Sequence, residues 1–193
     1  MISNGLPVLV EAEKRRVEAT TWDEDREVDN HIIWDLQERL DSGMTTRFVG
    51  ASVVIAAWAL YESGVRSVAD YIRREKSVKC SLDKVKGLKG HPSFLEKARL
   101  YFSDHLKFEL HGDAEWTGLK QLADIRNALA HNSCVSDIPE KKRDKIFEYC
   151  EADPDLKVEG DFLVVLLPFA ERALTLVERL RNDLIDRTMS AFK

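Results

Sequence analysis

Trp116-Thr-Gly-Leu-Lys-Gln-Leu-Ala-Asp-Ile-Arg-Asn-Ala-Leu-Ala-His-Asn132 is the stretch around which the rest of the chain is organised. Leu119, Leu122, Ile125 and Leu129 recur at the three- and four-residue spacing of one helical face. Asn132, followed by Ser133-Cys134, fits a helix end, because Asn tolerates the left-handed cap conformation. On a wheel of ~100° per residue the apolar arc runs through Ile125, Leu129, Leu122, Leu119, Ala130 and Ala123. Arg126 falls inside this arc, close to Leu122. Asn127 and His131 sit one turn apart at its edge, with Lys120 and Asp124 further round. A guanidinium in an apolar arc needs a counter-charge, a wet cleft or a partner, since burying an unpaired charge costs on the order of several kcal/mol. One short helix thus points a permanent cation, an amide and an imidazole toward much the same side. A purely structural reading is also available. A charged imidazole in a last helical turn is favoured by ~0.3–1 kcal/mol, Arg126 can be a satisfied ion pair, and Asn127 a local hydrogen-bonder.

Toward the N-terminus the pattern stays helical. Residues 10–40 are charged and helix-prone, with a sparse apolar stripe of Val17, Trp22, Val28, Ile32, Ile33, Leu36 and Leu40. Residues 11–41 hold eleven acids and five bases, net −6, which reads as a solvated face. After the Ser42-Gly43 break, Thr45 or Thr46 can cap a second helix running to about Lys76. Its middle, Phe48 to Tyr61, is nearly all apolar, so a central helix, buried on all sides, is expected. Glu62, one turn after Trp58, is a natural ion-pair partner for Arg126. Residues 72–91 carry seven bases against two acids, including Arg73, Arg74, Lys76 and Lys79. These cations can neutralise phosphates, or simply suit a helix C-terminus. Pro92-Ser93 opens a third helix reaching about Leu110, and His111-Gly112-Asp113 leads into the motif helix.

Beyond His131, Pro139 opens a short helix toward Tyr149 that carries Lys141, Lys142 and Arg143, a second set of candidate phosphate contacts. Leu156–Val158 and Phe162–Leu166, joined by Glu-Gly-Asp, read as a small hairpin. Pro168 starts a last helix with the apolar face Phe169, Ala173, Leu176, Val177, Leu180, Leu184 and Ile185. The expectation is an all-α helical bundle with a small β-hairpin before the last helix, in one domain over 1–193 with a flexible N-terminus at 1–9.

Composition limits the function. The 193 residues carry 29 basic and 34 acidic side chains, net −5, so a generic polyanion binder is excluded and any nucleic-acid contact needs a local basic patch. The three cysteines, Cys80, Cys134 and Cys150, have no metal-knuckle or redox spacing. They suit a reducing cytoplasm. No signal-peptide pattern opens the chain, no apolar run reaches the ~20 residues of a membrane span, and no His/Asp/Glu spacing suggests a metal or cofactor site. A cytoplasmic protein without a membrane partner is expected.

Arg126-Asn127-Ala128-Leu129-Ala130-His131, in the frame of Leu122-Ala123-Asp124-Ile125, resembles the signature of HEPN domains: Arg, then Asn or another polar residue, a short spacer, and His near a helix end. The resemblance implies a helical bundle and a metal-independent RNA endonuclease, often in defence or toxin–antitoxin systems. It implies a homodimer in which two such motifs line one cleft. Arg126 and His131 are then the catalytic pair, with Asn127 in support. The chemistry suits them, because imidazole works in general acid–base catalysis near neutral pH and a guanidinium stabilises charge on phosphate oxygens. Many HEPN toxins have a Tyr two residues after the His that a partner nucleotidyltransferase modifies; Ser133 stands there in this chain. Some HEPN domains only bind RNA or proteins. The rival expectation is therefore a non-catalytic helical module, regulatory or antitoxin-like, in which Arg126 and His131 are structural.

Overall fold

The computed structural model describes residues 44–85, 92–131 and 134–192. The expected helix over 10–40, the N-terminus at 1–9 and part of the basic stretch, residues 86–91, lie outside the described residues. The order is α1 (Met44–Glu75), α2 (Phe94–Leu100, continued by a π-helical stretch Tyr101–Leu106), α3 (Asp113–His131), α4 (Glu140–Ala152), β1 (Leu156–Glu159), β2 (Phe162–Val165) and α5 (Leu167–Ala191), with 3-10 turns at Leu82–Lys84 and Val135–Asp137. The fold is all-α with a two-stranded antiparallel hairpin before the last helix, as the sequence led us to expect. The chain forms two compact units: residues 44–53 with 134–172, and residues 54–131 with 173–192.

In the second unit α1 turns one face inward. Val54, Ala57, Trp58, Tyr61, Val65, Val68, Ala69 and Ile72 are buried. Ala56, Ala59, Ser63 and Ser67 are exposed. The expectation of burial on all sides is corrected: small residues such as Ala and Ser suit a helix without needing a core, so an apolar run rich in them leaves one face outside. Phe48, at the start of the apolar run, is 74% exposed. By length and composition Phe48–Glu75 could cross a membrane, which the sequence reading did not anticipate. Several of its aromatic side chains meet protein. Trp58 and Tyr61 pack on Phe94, and Tyr61 on His111.

The end of α1 is a Schellman motif. Val78 N donates to Arg73 O at 2.9 Å and Ser77 N to Arg74 O at 3.1 Å, with Ser77 at φ 51°. A left-handed residue with a Cβ carries a cost of about 1 kcal/mol. Ser77→Gly is therefore expected to stabilise the protein by up to about 1 kcal/mol, read as a higher urea midpoint at unchanged slope.

Ser93 caps α2 through a capping box with Glu96. Its backbone and side-chain hydrogen bonds hold the Glu96 carboxyl below its ordinary range, with Lys120 a smaller cause. The helix ends at Leu106 instead of Leu110, because Lys107 turns left-handed at φ 50°. Phe108 to Leu110 then run as a loop, whose Glu109 and Leu110 carbonyls accept from Arg187 of α5 at 2.8 Å each. α3 begins at Asp113, three residues before Trp116. Asp113 and Glu115 in its first turn complement the helix dipole.

His111, 6% exposed, sits between Tyr61 and Trp116. Burial, helped by Arg187, pushes its pKa down from 6.5 to about 4. The unfolded chain therefore takes up this proton first. The stability from a neutral buried His111 is full above pH 6.5 and is lost as pH falls toward 4. The loss is roughly 3 kcal/mol. A His111→Phe variant should show a shallower fall in urea midpoint over that window than the parent.

In the first unit Leu156 pairs with Val165 across the hairpin, and Gly160 makes the turn at φ 61°. Arg172 binds Asp153 at 2.7 Å and Asp155 at 2.6 Å, tying the start of α5 to the loop before β1. The Asp161 carboxylate accepts from the Ser136 amide and hydroxyl, which lowers its pKa.

Candidate active site

α3 buries Trp116, Leu119, Leu122, Ile125 and Ala128. This stripe fixes the helix rotation and so decides where the motif points. Asn127 and His131 are exposed, and Arg126 is half-buried at the boundary. The Arg126 side chain runs along the last turns of the helix. Its Nη1 donates to Asn127 Oδ1 at 2.9 Å and lies 3.4 Å from His131 Nε2. The three residues singled out from the sequence are thus in mutual reach. If Nη1 donates to Nε2, that nitrogen is the acceptor and the neutral ring carries its proton on Nδ1. The Arg126 Nε is buried and has no hydrogen-bond partner among the described residues.

Glu62 does not pair with Arg126 among the described residues. Its Oε1 accepts from Trp58 Nε1 at 2.8 Å. The reason is local: Trp58 and Glu62 are four apart on one helix, and a buried indole N–H needs an acceptor. The expected ion pair is therefore replaced by a contact within α1.

The basic candidates divide. Lys120 lies exposed on α3, about three turns before His131. Arg73 binds Asp70 at 3.2 Å, Arg74 Nε donates to the Asp70 carbonyl at 3.2 Å, and Lys76 donates to Leu106 O at 2.6 Å while lying over the Phe192 ring. These three cations are engaged with the protein itself, which is the structural reading of that stretch. Lys79 is exposed. Lys141 and Lys142 are exposed and Arg143 half-buried in the first turn of α4, in the other compact unit.

A cleft of about 460 Å³ lined by Arg99, Lys107, Phe108, His111 and Trp116 lies at the N-terminal end of α3. Trp116 and His131 are about 20 Å apart along the helix, so this cleft is separate from the motif. Among the described residues no group of three His, Cys, Asp or Glu side chains could hold a metal ion. One residue escaped the sequence reading. Arg181, between the buried Leu180 and Leu184 of α5, interrupts an apolar face much as Arg126 does, and that interruption was its signal.

No protein-family model, curated protein or solved structure matches the chain.

Proposed function

We propose that the chain is a metal-independent RNA endonuclease of the HEPN type, acting as a homodimer through α3 in a defence or toxin setting. The observation that carries this reading is the contact of the Arg126 guanidinium with the His131 imidazole, 3.4 Å apart on the exposed side of a helix end. RNA brings its own nucleophile. An imidazole takes the proton of the 2′-hydroxyl, the oxygen attacks the adjacent phosphorus, and the bond from phosphorus to the 5′-oxygen breaks. That oxygen leaves with a proton from an acid, here the imidazole of the second copy. The products are a 2′,3′-cyclic phosphate and a 5′-hydroxyl. Arg126 neutralises charge growing on the non-bridging oxygens. One Arg and one His per chain leave the acid to a second copy, which motivates an isologous dimer at the motif helix. Lys120, exposed on the same helix, is available for a flanking phosphate. An antitoxin or other partner protein belongs to the same proposal.

The test is incubation of the purified protein with a mixed RNA pool in EDTA, beside Arg126→Ala and His131→Ala. Cleavage by the parent alone, with 2′,3′-cyclic or 3′-phosphate ends, is expected. A folded dimer that leaves every RNA intact would favour the non-catalytic helical module, with Arg126, Asn127 and His131 closing the end of α3.

A further inference from the structure

α5 carries four arginines, and three of them have carboxylate partners. Arg172 binds Asp153 and Asp155, Arg179 lies 4.0 Å from Glu115, and Arg187 binds Asp183 at 2.8 Å. Arg181 has none among the described residues, and its Nε is buried without an acceptor. Its position is nevertheless well defined. A Cβ on Gly64 of α1 would stand 3.0 Å from Arg181 Cγ and 3.1 Å from Cδ, so the Arg181 stem lies directly over the bare backbone of that glycine. Among the described residues this half-buried guanidinium thus lacks a carboxylate, and its polar end is able to take an anion.

The surroundings give the shape of that anion. Arg181 lines a groove of about 340 Å³ between α1 and α5, within the size range of small-molecule sites. Gly64 faces Arg181, and Tyr71 packs edge-on against Phe192, so the two helices run in the same direction. One end of the groove therefore carries Arg181, Ser63 and Ser67 beside Leu60, and the end about 10 Å further on is mainly apolar, its Thr188 hydroxyl being spent on the Leu184 carbonyl. Val68, Tyr71, Ile185 and Met189 wall the apolar part, and Ile185 and Met189 are 38% and 51% exposed. A second copy of this face would not supply the anion, because no acidic residue lines the groove.

We propose that this groove binds a medium-chain aliphatic carboxylate, its headgroup on the Arg181 guanidinium and the Ser63 and Ser67 hydroxyls, its tail along Val68, Tyr71, Ile185 and Met189. A carboxylate meets a guanidinium with two parallel charge-assisted hydrogen bonds, and the tail removes apolar surface from water.

Titration calorimetry of the full chain with sodium decanoate, below its micelle-forming concentration, tests this. Saturable binding at one site is expected. Arg181→Gln should weaken it at least about tenfold, and decanol, with the same tail and no charge, should bind the parent comparably weakly. Met189→Glu, at an exposed position, should also weaken binding while leaving the far-ultraviolet circular dichroism unchanged. It keeps the test sound should Arg181→Gln fold poorly. No saturable binding, equal binding of decanol and decanoate, or full binding by a folded Arg181→Gln protein would overturn the proposal. So would association only with decanoate-doped vesicles, which would point to a lipid surface.

Discussion

His131→Ala is expected to lower RNA cleavage by about 10²- to 10⁴-fold, the usual loss when a general acid–base group is removed. The same change should leave stability within about 1 kcal/mol of the parent, because His131 is exposed in the last turn of α3 and its 3.4 Å contact with Arg126 lies at the surface. The separation of the two effects is the argument. A residue that merely closed the helix would show the opposite balance, with some loss of stability and no catalytic phenotype. Arg126→Ala should also cost about 10²- to 10³-fold, as expected for one preorganised charge on the phosphate. Arg126→Lys should not rescue it. A lysine offers one point charge, whereas the guanidinium reaches Asn127 Oδ1 and approaches His131 Nε2 through one nitrogen and leaves Nη2 for a phosphate oxygen. The measurement is kcat/KM on a defined oligoribonucleotide, with urea midpoints taken in parallel. Equal activity of the parent and a folded His131→Ala protein would remove His131 from the mechanism.

The helices were legible because their signals are local. Ser93 and Glu96 stand three apart and form the box that opens α2. Leu119, Leu122 and Ile125 recur on one face and are the buried stripe of α3. Gly160 sits between two β-rich runs and makes the hairpin turn. The proximity of Arg126, Asn127 and His131 was readable for the same reason, since all three ride on one helix. What escaped depends on competition between partners. Glu62 had two possible donors, and the one on its own helix took it. Lys76 reads as a free cation in sequence, but a carbonyl thirty residues away accepts a hydrogen bond from it. The early stop of α2 rests on a left-handed Lys107, for which a lysine gives no warning. Arg181 interrupts an apolar face in the sequence, but that its neighbours on α5 are paired while it has no carboxylate among the described residues is visible only in the structure.

Gly50→Ala is expected to be the most damaging conservative change among the described glycines. Gly50 is a buried residue of α1, and a Cβ there would stand 2.1 Å from the carbonyl oxygen of Val165 and 3.0 Å from its carbon. Both are backbone atoms at the end of β2, where Val165 is held in register by Leu156. No rotamer change can relieve such a clash, so the helix or the hairpin must move. Overpacking of this kind costs about 3 kcal/mol or more when the obstacle cannot yield, a large part of the ~5–15 kcal/mol that holds a domain folded. The midpoint of thermal unfolding should fall by about 6–12 °C, and the amides of Leu156 and Val165 should exchange hydrogen faster. Gly64→Ala is the control. Its Cβ would meet only the Cγ and Cδ of Arg181, at 3.0 and 3.1 Å, and a flexible stem can shift. Replacing a helical glycine also gains about 1 kcal/mol of helix propensity, so the net change should stay within about 1 kcal/mol of zero. Similar melting temperatures for the two variants would mean that α1 does not approach the end of β2 as closely as the Val165 carbonyl requires.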